Sequence, residues 1–500
     1  MNVIYCVSEL TDWIDVAKYF QEKKSWKPSL WITTNKNYNY LKKSFPTVST
    51  IDFFDANRGI FKNIPITKKI ILSKELLSLY SKDETIVLKM MDRMDPSGYN
   101  FNYSERVQLY YQTLEFVLNY FNDQQPNIII FNETPHSIFT YIIYAVAKQQ
   151  QIKILRLSPT HINGNVFLTS SLEKEQPFFK ELFLDIQKSK TISEETKEYV
   201  DAINGKYDNA VPYYMDKIKK ANNKGDLYKI IKMGLKSIEY LFRKEKQNYY
   251  KNKFSSIRKK FTNSSLALNN FKSTLFKIKL QKEYTKFVAQ TADKFNLDEP
   301  FIYFPLQYQP EKSSSPEADI YVNQYLAINM LSKLSDNRFK IYVKEHISQF
   351  SITLKGEQGR ALSFYESLAT LDNIVFIDTD IDSFLLIDKA ISLATLTGTA
   401  GLESIIRGKP SIIFGYPWYK ECEGIFHVEN LEKLKDILDT IYTKEYTIEL
   451  ENIMFFIEAI FNISQTIYLN PSNSSSISDT QHNNVDEIIQ LIETYEDKVV

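Results

Sequence analysis

At 500 residues, 43% hydrophobic and 24% charged, the chain is long enough for about two to four domains with cores of their own, and its composition excludes wholesale disorder. Sixty-one Lys and Arg balance 61 Asp and Glu, so no global field favours a nucleic-acid partner. Two cysteines, Cys6 and Cys422, support neither a disulfide framework nor a four-ligand zinc site, and the 13 glycines form no G-x-G-x-x-G and no Walker A loop, which argues against fingerprint-bearing dinucleotide enzymes and P-loop NTPases.

The first residues, MNVIYCVSELTDWID, lack a basic leader, and the longest apolar stretch, Ile138–Ala147, falls short of the roughly 20 residues a membrane span needs. The expectation is a cytoplasmic protein. Short β-branched runs then alternate with helical patterns. Val3–Val7 reads as a strand, Trp13–Glu22 as a helix, Ser29–Thr33 as a strand and Tyr38–Ser44 as a helix. The turn-rich segment Met91–Arg106 interrupts this rhythm, and we expect it to pack on the first domain. A long helix, Val107–Phe121, follows it. Ile128–Phe131 is an uninterrupted apolar strand, followed by a helix at 138–149 and a strand at Lys153–Leu157. Apolar strands separated by helices predict a parallel sheet covered on both faces.

From Leu172 to Leu297 the pattern is helical. Between Asp216 and Lys286 stand 20 Lys and Arg against 5 Asp and Glu, a local excess that points to an anionic partner. A second α/β unit starts at Phe301. Its expected strands are 301–304, 339–343, 374–377, 392–396 and 411–414, with helices at 319–334, 362–371, 382–390 and 401–407. Gly408 and Pro410 close the last of these. Past Asn430 the chain is helical again, with a Ser/Asn-rich linker at Pro471–Asp479 and an acidic helix at Asp486–Asp497. The expected division is 1–171, a basic helical insertion or linker at 172–297, 298–430, and C-terminal helices at 431–500. The fold class is α/β: two doubly wound, Rossmann-like domains with ligands outside the carboxyl ends of the strands and a cleft between the domains.

Four constellations fall at such strand ends. Asn132-Glu133-Thr134-Pro135-His136 reads either as a polar turn with Thr134 as N-cap or as a carboxylate and an imidazole suited to acid/base work. Lys344-Glu345-His346 places three ionisable side chains in a row after a strand, where packing rarely calls for them, and could hold phosphate oxygens or a ribose hydroxyl. Thr397-Gly398-Thr399-Ala400-Gly401-Leu402-Glu403 lies between a strand and a helix. It is either a tight capped turn or a small-residue approach to a phosphate. The loop with Gln307 and Gln309, ending in Ser313–Ser315, carries many side-chain donors. Asp378-Thr379-Asp380 imitates a metal-binding D-x-D, but Asp382 beside it suits an N-cap, and we read that stretch as structural.

Taken together, Phe304–Tyr321, Tyr342–His346 and Thr397–Gly415 resemble the bacterial capsule polysaccharide biosynthesis proteins, which include transferases of Kdo, an acidic eight-carbon sugar. Asn132–Ser137 and Met91–Gly98 look like the family's N-terminal counterparts. The resemblance implies a metal-independent glycosyltransferase of the two-domain GT-B type. It would need no cofactor beyond a nucleotide-sugar donor, possibly CMP-linked as in related transferases. Those carry a His-Pro pair on the nucleotide and later a Ser/Thr pair on the phosphate. Here His346 matches the histidine, Ile347 stands in place of the proline, and Thr397 and Thr399 match the hydroxyls. The implied donor set is Lys344, Glu345, His346, Thr397, Gly398, Thr399, Glu403, Gln307 and Gln309, with Glu133 and His136 catalytic. Two alternatives stay open: a non-catalytic carbohydrate- or partner-binding component of a capsule assembly complex, and a nucleotide-sugar epimerase. The implied acceptor is a glycan or a lipid-linked saccharide. The basic section, with aromatic residues among its lysines, is expected to meet either solvent or an anionic membrane surface at its inner face, and not nucleic acid.

Overall fold

The computed structural model describes residues 1–500 other than 8–10, 35–37, 63, 68, 96–100, 161, 174–178, 206–212, 223, 243–262, 336–337, 470–483 and 500. Two compact units divide the chain differently from the expected boundaries. The first comprises 1–90, 103–191 and 455–500, and the second comprises 91–102 and 192–454.

In the first unit β1 (Asn2–Cys6), β2 (Lys27–Thr33), β3 (Ser49–Asp52), β4 (Ile128–Phe131) and β5 (Lys153–Pro159) form a parallel sheet in the order β5-β4-β1-β2-β3. Every residue of β4 is buried, as its continuous apolar sequence requires. Beyond β5 the sheet turns antiparallel through β6 (Asn165–Thr169), and the two-residue strand Gln465–Thr466 pairs with β6 at the edge. Trp13, Ile14 and Phe20 of the helix Asp12–Lys24 share one core with Ile488, Leu491, Ile492 and Tyr495 of the helix Val485–Val499. The helix Ile138–Gln149 begins where expected, but Ser137 caps it in a capping box with Thr140, so Thr134 is not the cap and Pro135 lies outside the helix.

The second unit is a six-stranded all-parallel sheet: β7 (Phe301–Pro305), β8 (Lys340–Lys344), β9 (Ile374–Ile377), β10 (Ser392–Thr395), β11 (Ser411–Ile413) and β12 (Ile425–His427). Their order, β9-β8-β7-β10-β11-β12, is that of a doubly wound dinucleotide fold, and it reverses between β7 and β10. The long helix Asn263–Gln290, from the section expected to be an insertion, contributes Leu280, Tyr284 and Phe287 to this unit's core. Its Lys277 is buried, donates to Leu354 O at 2.8 Å and lies 3.4 Å from Glu357. The segment expected to pack on the first domain also groups with the second unit, where Arg93 Nη2 donates to Ser315 O at 2.9 Å. The linker at 471–479 lies outside the described residues. No helix among the described residues is long and apolar enough to cross a membrane.

Candidate donor site at the carboxyl ends of the second sheet

Reversal of strand order opens a crevice where two neighbouring loops leave in opposite directions. Gln307, just past β7, bridges it. Its Nε2 donates to Thr397 Oγ1 at 3.1 Å, and Thr397 N donates back to Gln307 Oε1 at 3.3 Å. Gln324 clasps the backbone of Gln307 in both directions at 2.9 Å. Thr397 Oγ1 donates in turn to Ser313 O at 2.6 Å.

A buried ion pair organises the neighbouring loop. Arg360 Nε and Nη2 donate to the two carboxylate oxygens of Glu345 at 2.9 and 3.2 Å. Nη1 reaches Gln309 Oε1 and Nη2 reaches Gln307 O, both at 3.2 Å. Tyr365 Oη donates to Glu345 Oε2 at 2.6 Å, and His346 N donates to Oε1 at 2.9 Å. Gln349 Nε2 donates to Gln309 O at 3.0 Å and to Gly356 O at 2.6 Å. The network satisfies a charge that would otherwise be costly to bury.

Glu345, Gln307, Gln309 and Thr397 are buried and bonded to the protein, and they hold the loops in place. Lys344 is also committed: its Nζ donates to Ser383 Oγ at 2.9 Å, and burial pushes its pKa down to about 8. Asp382 is an N-cap as expected, accepting from Phe384 N at 2.7 Å.

Three expected residues reach the surface of this frame. His346 is half-buried, and its Nδ1 accepts from Ser348 N at 3.2 Å. Burial, then Lys344 and Arg360, push its pKa down to about 4, so near neutral pH it is an uncharged imidazole whose proton sits on Nε2. Thr399 is exposed at the start of the helix Ala400–Ile406 and makes no side-chain cap bond. Glu403, half-buried one turn on, bonds to the Thr399 hydroxyl, and burial raises its carboxyl to about 7. Gly398, half-buried, keeps the loop close: Tyr419 Oη donates to its carbonyl. A Cβ on Gly401 would stand 2.5 Å from that same Tyr419 Oη.

Arg360, Tyr365, Gln349 and Gln324 escaped the sequence reading. One signal was available in a glycine-poor chain: Gly356-Glu357-Gln358-Gly359-Arg360 places two glycines where backbones touch. A Cβ on Gly359 would lie 2.5 Å from Gln309, and one on Gly356 would lie 2.1 Å from Gln349 O.

In the first unit the sheet order also reverses, between β1 and β4, and Glu133 and His136 follow β4 there. His136 Nδ1 lies 2.9 Å from Thr134 O, which fixes the proton on Nδ1. Glu133 Oε1 is 3.8 Å from that nitrogen. Buried Arg156 pins the turn through Thr134 Oγ1 at 2.9 Å. The pair is thus brought together in its own unit.

The second unit's parallel sheet and the reversal of its strand order define a doubly wound α/β domain. Residues 230–440 match the family described as "Capsule polysaccharide biosynthesis protein". No curated protein matches the chain. Similar solved structures include the UDP-GlcNAc 2-epimerase of Methanocaldococcus jannaschii (10% identity, 92% of this chain and 99% of that one, TM-score 0.25). A glycosyltransferase of Rickettsia africae (13%, 99% and 98%, 0.24) and the beta Kdo 2,7 transferase of Thermosulfurimonas dismutans KpsC (13%, 68% and 79%, 0.24) are likewise similar. With TM-scores this low, none of the three assigns a substrate.

Proposed function

We propose that the protein is a glycosyltransferase of surface polysaccharide synthesis, moving a sugar from a nucleotide-activated donor to a glycan or lipid-linked acceptor. The observation that carries this reading is that a neutral His346 Nε2–H and the exposed Thr399 hydroxyl follow β8 and β10, on either side of β7, at the carboxyl ends of one sheet whose loops are held by buried hydrogen bonds. An imidazole N–H and a hydroxyl, the latter bonded to Glu403 one turn on, suit the phosphate or ribose oxygens of a nucleotide, and a preorganised frame lets them favour a leaving phosphate without reorganising. The family match at 230–440 supports the capsule setting. Glu403, protonated up to about pH 7, would complete the donor set as a hydroxyl partner.

Glu133 would act as the general base on the acceptor hydroxyl, with His136 beside it. Kdo as the sugar, a CMP-linked donor and independence from metal belong to this proposal. The D-x-D stretch supports the last, because Asp378 Oδ1 accepts from Asp380 N at 2.9 Å and Asp380 lies 3.5 Å from Lys219. A lipid-linked acceptor also places the work at an anionic membrane surface, held there by the basic helical section.

The test is release of free nucleotide from a panel of sugar nucleotides, with and without a polysaccharide acceptor. Acceptor-dependent release supports transfer. Conversion without acceptor would replace it with epimerisation, and no release from any donor would leave a binding protein.

A further inference from the structure

Three apolar residues of the helix Asp226–Phe242 face outward. Leu227, Ile231 and Leu235, four apart and therefore on one face, are 72%, 53% and 64% exposed. Lys229 and Met233 on the opposite side are buried, and Lys229 Nζ donates to Gln281 Oε1 at 3.0 Å. An ordinary surface helix does the reverse. Tyr228 borders the apolar arc, exposed, with the ammonium groups of Lys224 and Lys232 5.9 and 5.8 Å from its ring centroid. Asp226 is paired away from the arc with Lys282 at 2.7 Å. On the adjacent helix Asn263–Gln290, Leu268 and Leu275 are exposed as well.

We propose that this arc enters the interfacial layer of a bilayer carrying anionic lipids. Leu227, Ile231 and Leu235 would sit among the upper acyl chains, Tyr228 at headgroup depth, and Lys224 and Lys232 on the phosphates. Charge complementarity selects lipid as the occupant: the section has 20 basic residues against 5 acidic ones. Lysine is depleted at the centres of protein interfaces and favoured beside anionic headgroups. The inference rests on the reading that the basic section meets an anionic surface, and it adds the mode. Attachment by charge alone is screened away by salt, whereas an inserted apolar face leaves a salt-resistant part.

The experiment is sedimentation of the full-length protein with phosphatidylcholine vesicles, with and without phosphatidylglycerol, at low salt and at about 0.5 M salt. Wild type is compared with the triple variant Leu227→Ser, Ile231→Ser, Leu235→Ser. The replaced side chains are exposed, so the thermal melt of the variant should match wild type. The expected result is binding to the anionic vesicles with a fraction retained at high salt, and in the variant a partition coefficient about tenfold lower or less with no retained fraction. If the variant partitions like wild type, insertion is wrong while charge-based attachment stands. If wild type binds neither vesicle, both fall. A change in oligomeric state on light scattering with vesicle binding unaltered would assign the arc to a second copy of the chain and overturn the proposal.

Discussion

At His346 the sequence supplies an imidazole and the fold decides its charge. Burial and two nearby cations keep it neutral, and Ser348 N occupies Nδ1, so one donor remains on Nε2. Replacing His346 by Ala, or Thr399 by Val, should each weaken nucleotide binding roughly ten- to a hundredfold, the cost of one hydrogen bond to a charged oxygen. Calorimetric titration checks this, with the thermal melt unchanged. Because the imidazole is already neutral, His346 should add no pH dependence to affinity from about pH 8 down to about 5.5, and any change across pH 7 should be lost in Glu403→Gln. Glu403 behaves in the opposite sense. Its carboxyl is raised to about 7 from an ordinary 4.5, so between those values the folded state holds a proton that the unfolded chain has lost. Stability contributed there is present below pH 4.5 and is lost as pH rises toward 7. Glu403→Gln should remove that slope and, at pH 7.5, stabilise the protein by on the order of 1–3 kcal/mol while weakening donor binding. Urea midpoints at pH 5 and 7.5 decide it, and equal differences at the two pH values would remove Glu403 from this role.

Loops after β7 and β8 are held by one another, and the Arg360–Glu345 pair is the tie. Arg360 reaches Glu345, Gln309 and Gln307 at once, so its loss leaves a buried carboxylate without its cation, takes a donor from Gln309 Oε1, and leaves Gln307 O with Gln324 alone. Arg360→Met should cost roughly 3–5 kcal/mol, while adding Glu345→Gln to it should recover part of that loss, because the stranded charge is then gone. Denaturant midpoints of the two single variants and the double variant form the cycle. This also shows how far the site was legible. That polar and ionisable stretches follow β7, β8 and β10 was readable, because apolar runs such as Ile128–Phe131 and Ile374–Ile377 fix strand ends to within a residue. Which of those residues the fold buries was not readable. Glu345 and His346 are neighbours in the chain, yet one is paired with Arg360 fifteen positions on and the other reaches the surface. Periodicity carries no information about partners at that distance.

Over the whole chain, what the sequence conceals most is the return of residues 455–500 to the first unit. Read locally, Asp486–Asp497 is an acidic surface helix. In the fold Ile488, Leu491, Ile492 and Tyr495 are buried against the helix Asp12–Lys24, more than 450 residues earlier. Polar ties fix the register: Tyr19 Oη donates to Glu493 Oε1 at 2.7 Å, and Asn484 Nδ2 donates to Asp12 Oδ2 at 3.0 Å. A single edge strand, Gln465–Thr466, adds a pairing that no propensity would select in two residues. Four buried side chains at about 1.5–3 kcal/mol each approach the entire stability of an ordinary domain, even after the entropy of ordering the helix is set against them. Truncation after Ser464 should therefore abolish the first unit's cooperative melting transition and leave that of the second unit, whose core contains no residue from the deleted segment. Calorimetry would read the two transitions. If the donor site belongs to the second unit alone, nucleotide binding should survive within about threefold of wild type while sugar transfer, which the proposal makes dependent on Glu133 of the first unit, disappears. Loss of both together would mean that the second unit does not bind donor on its own.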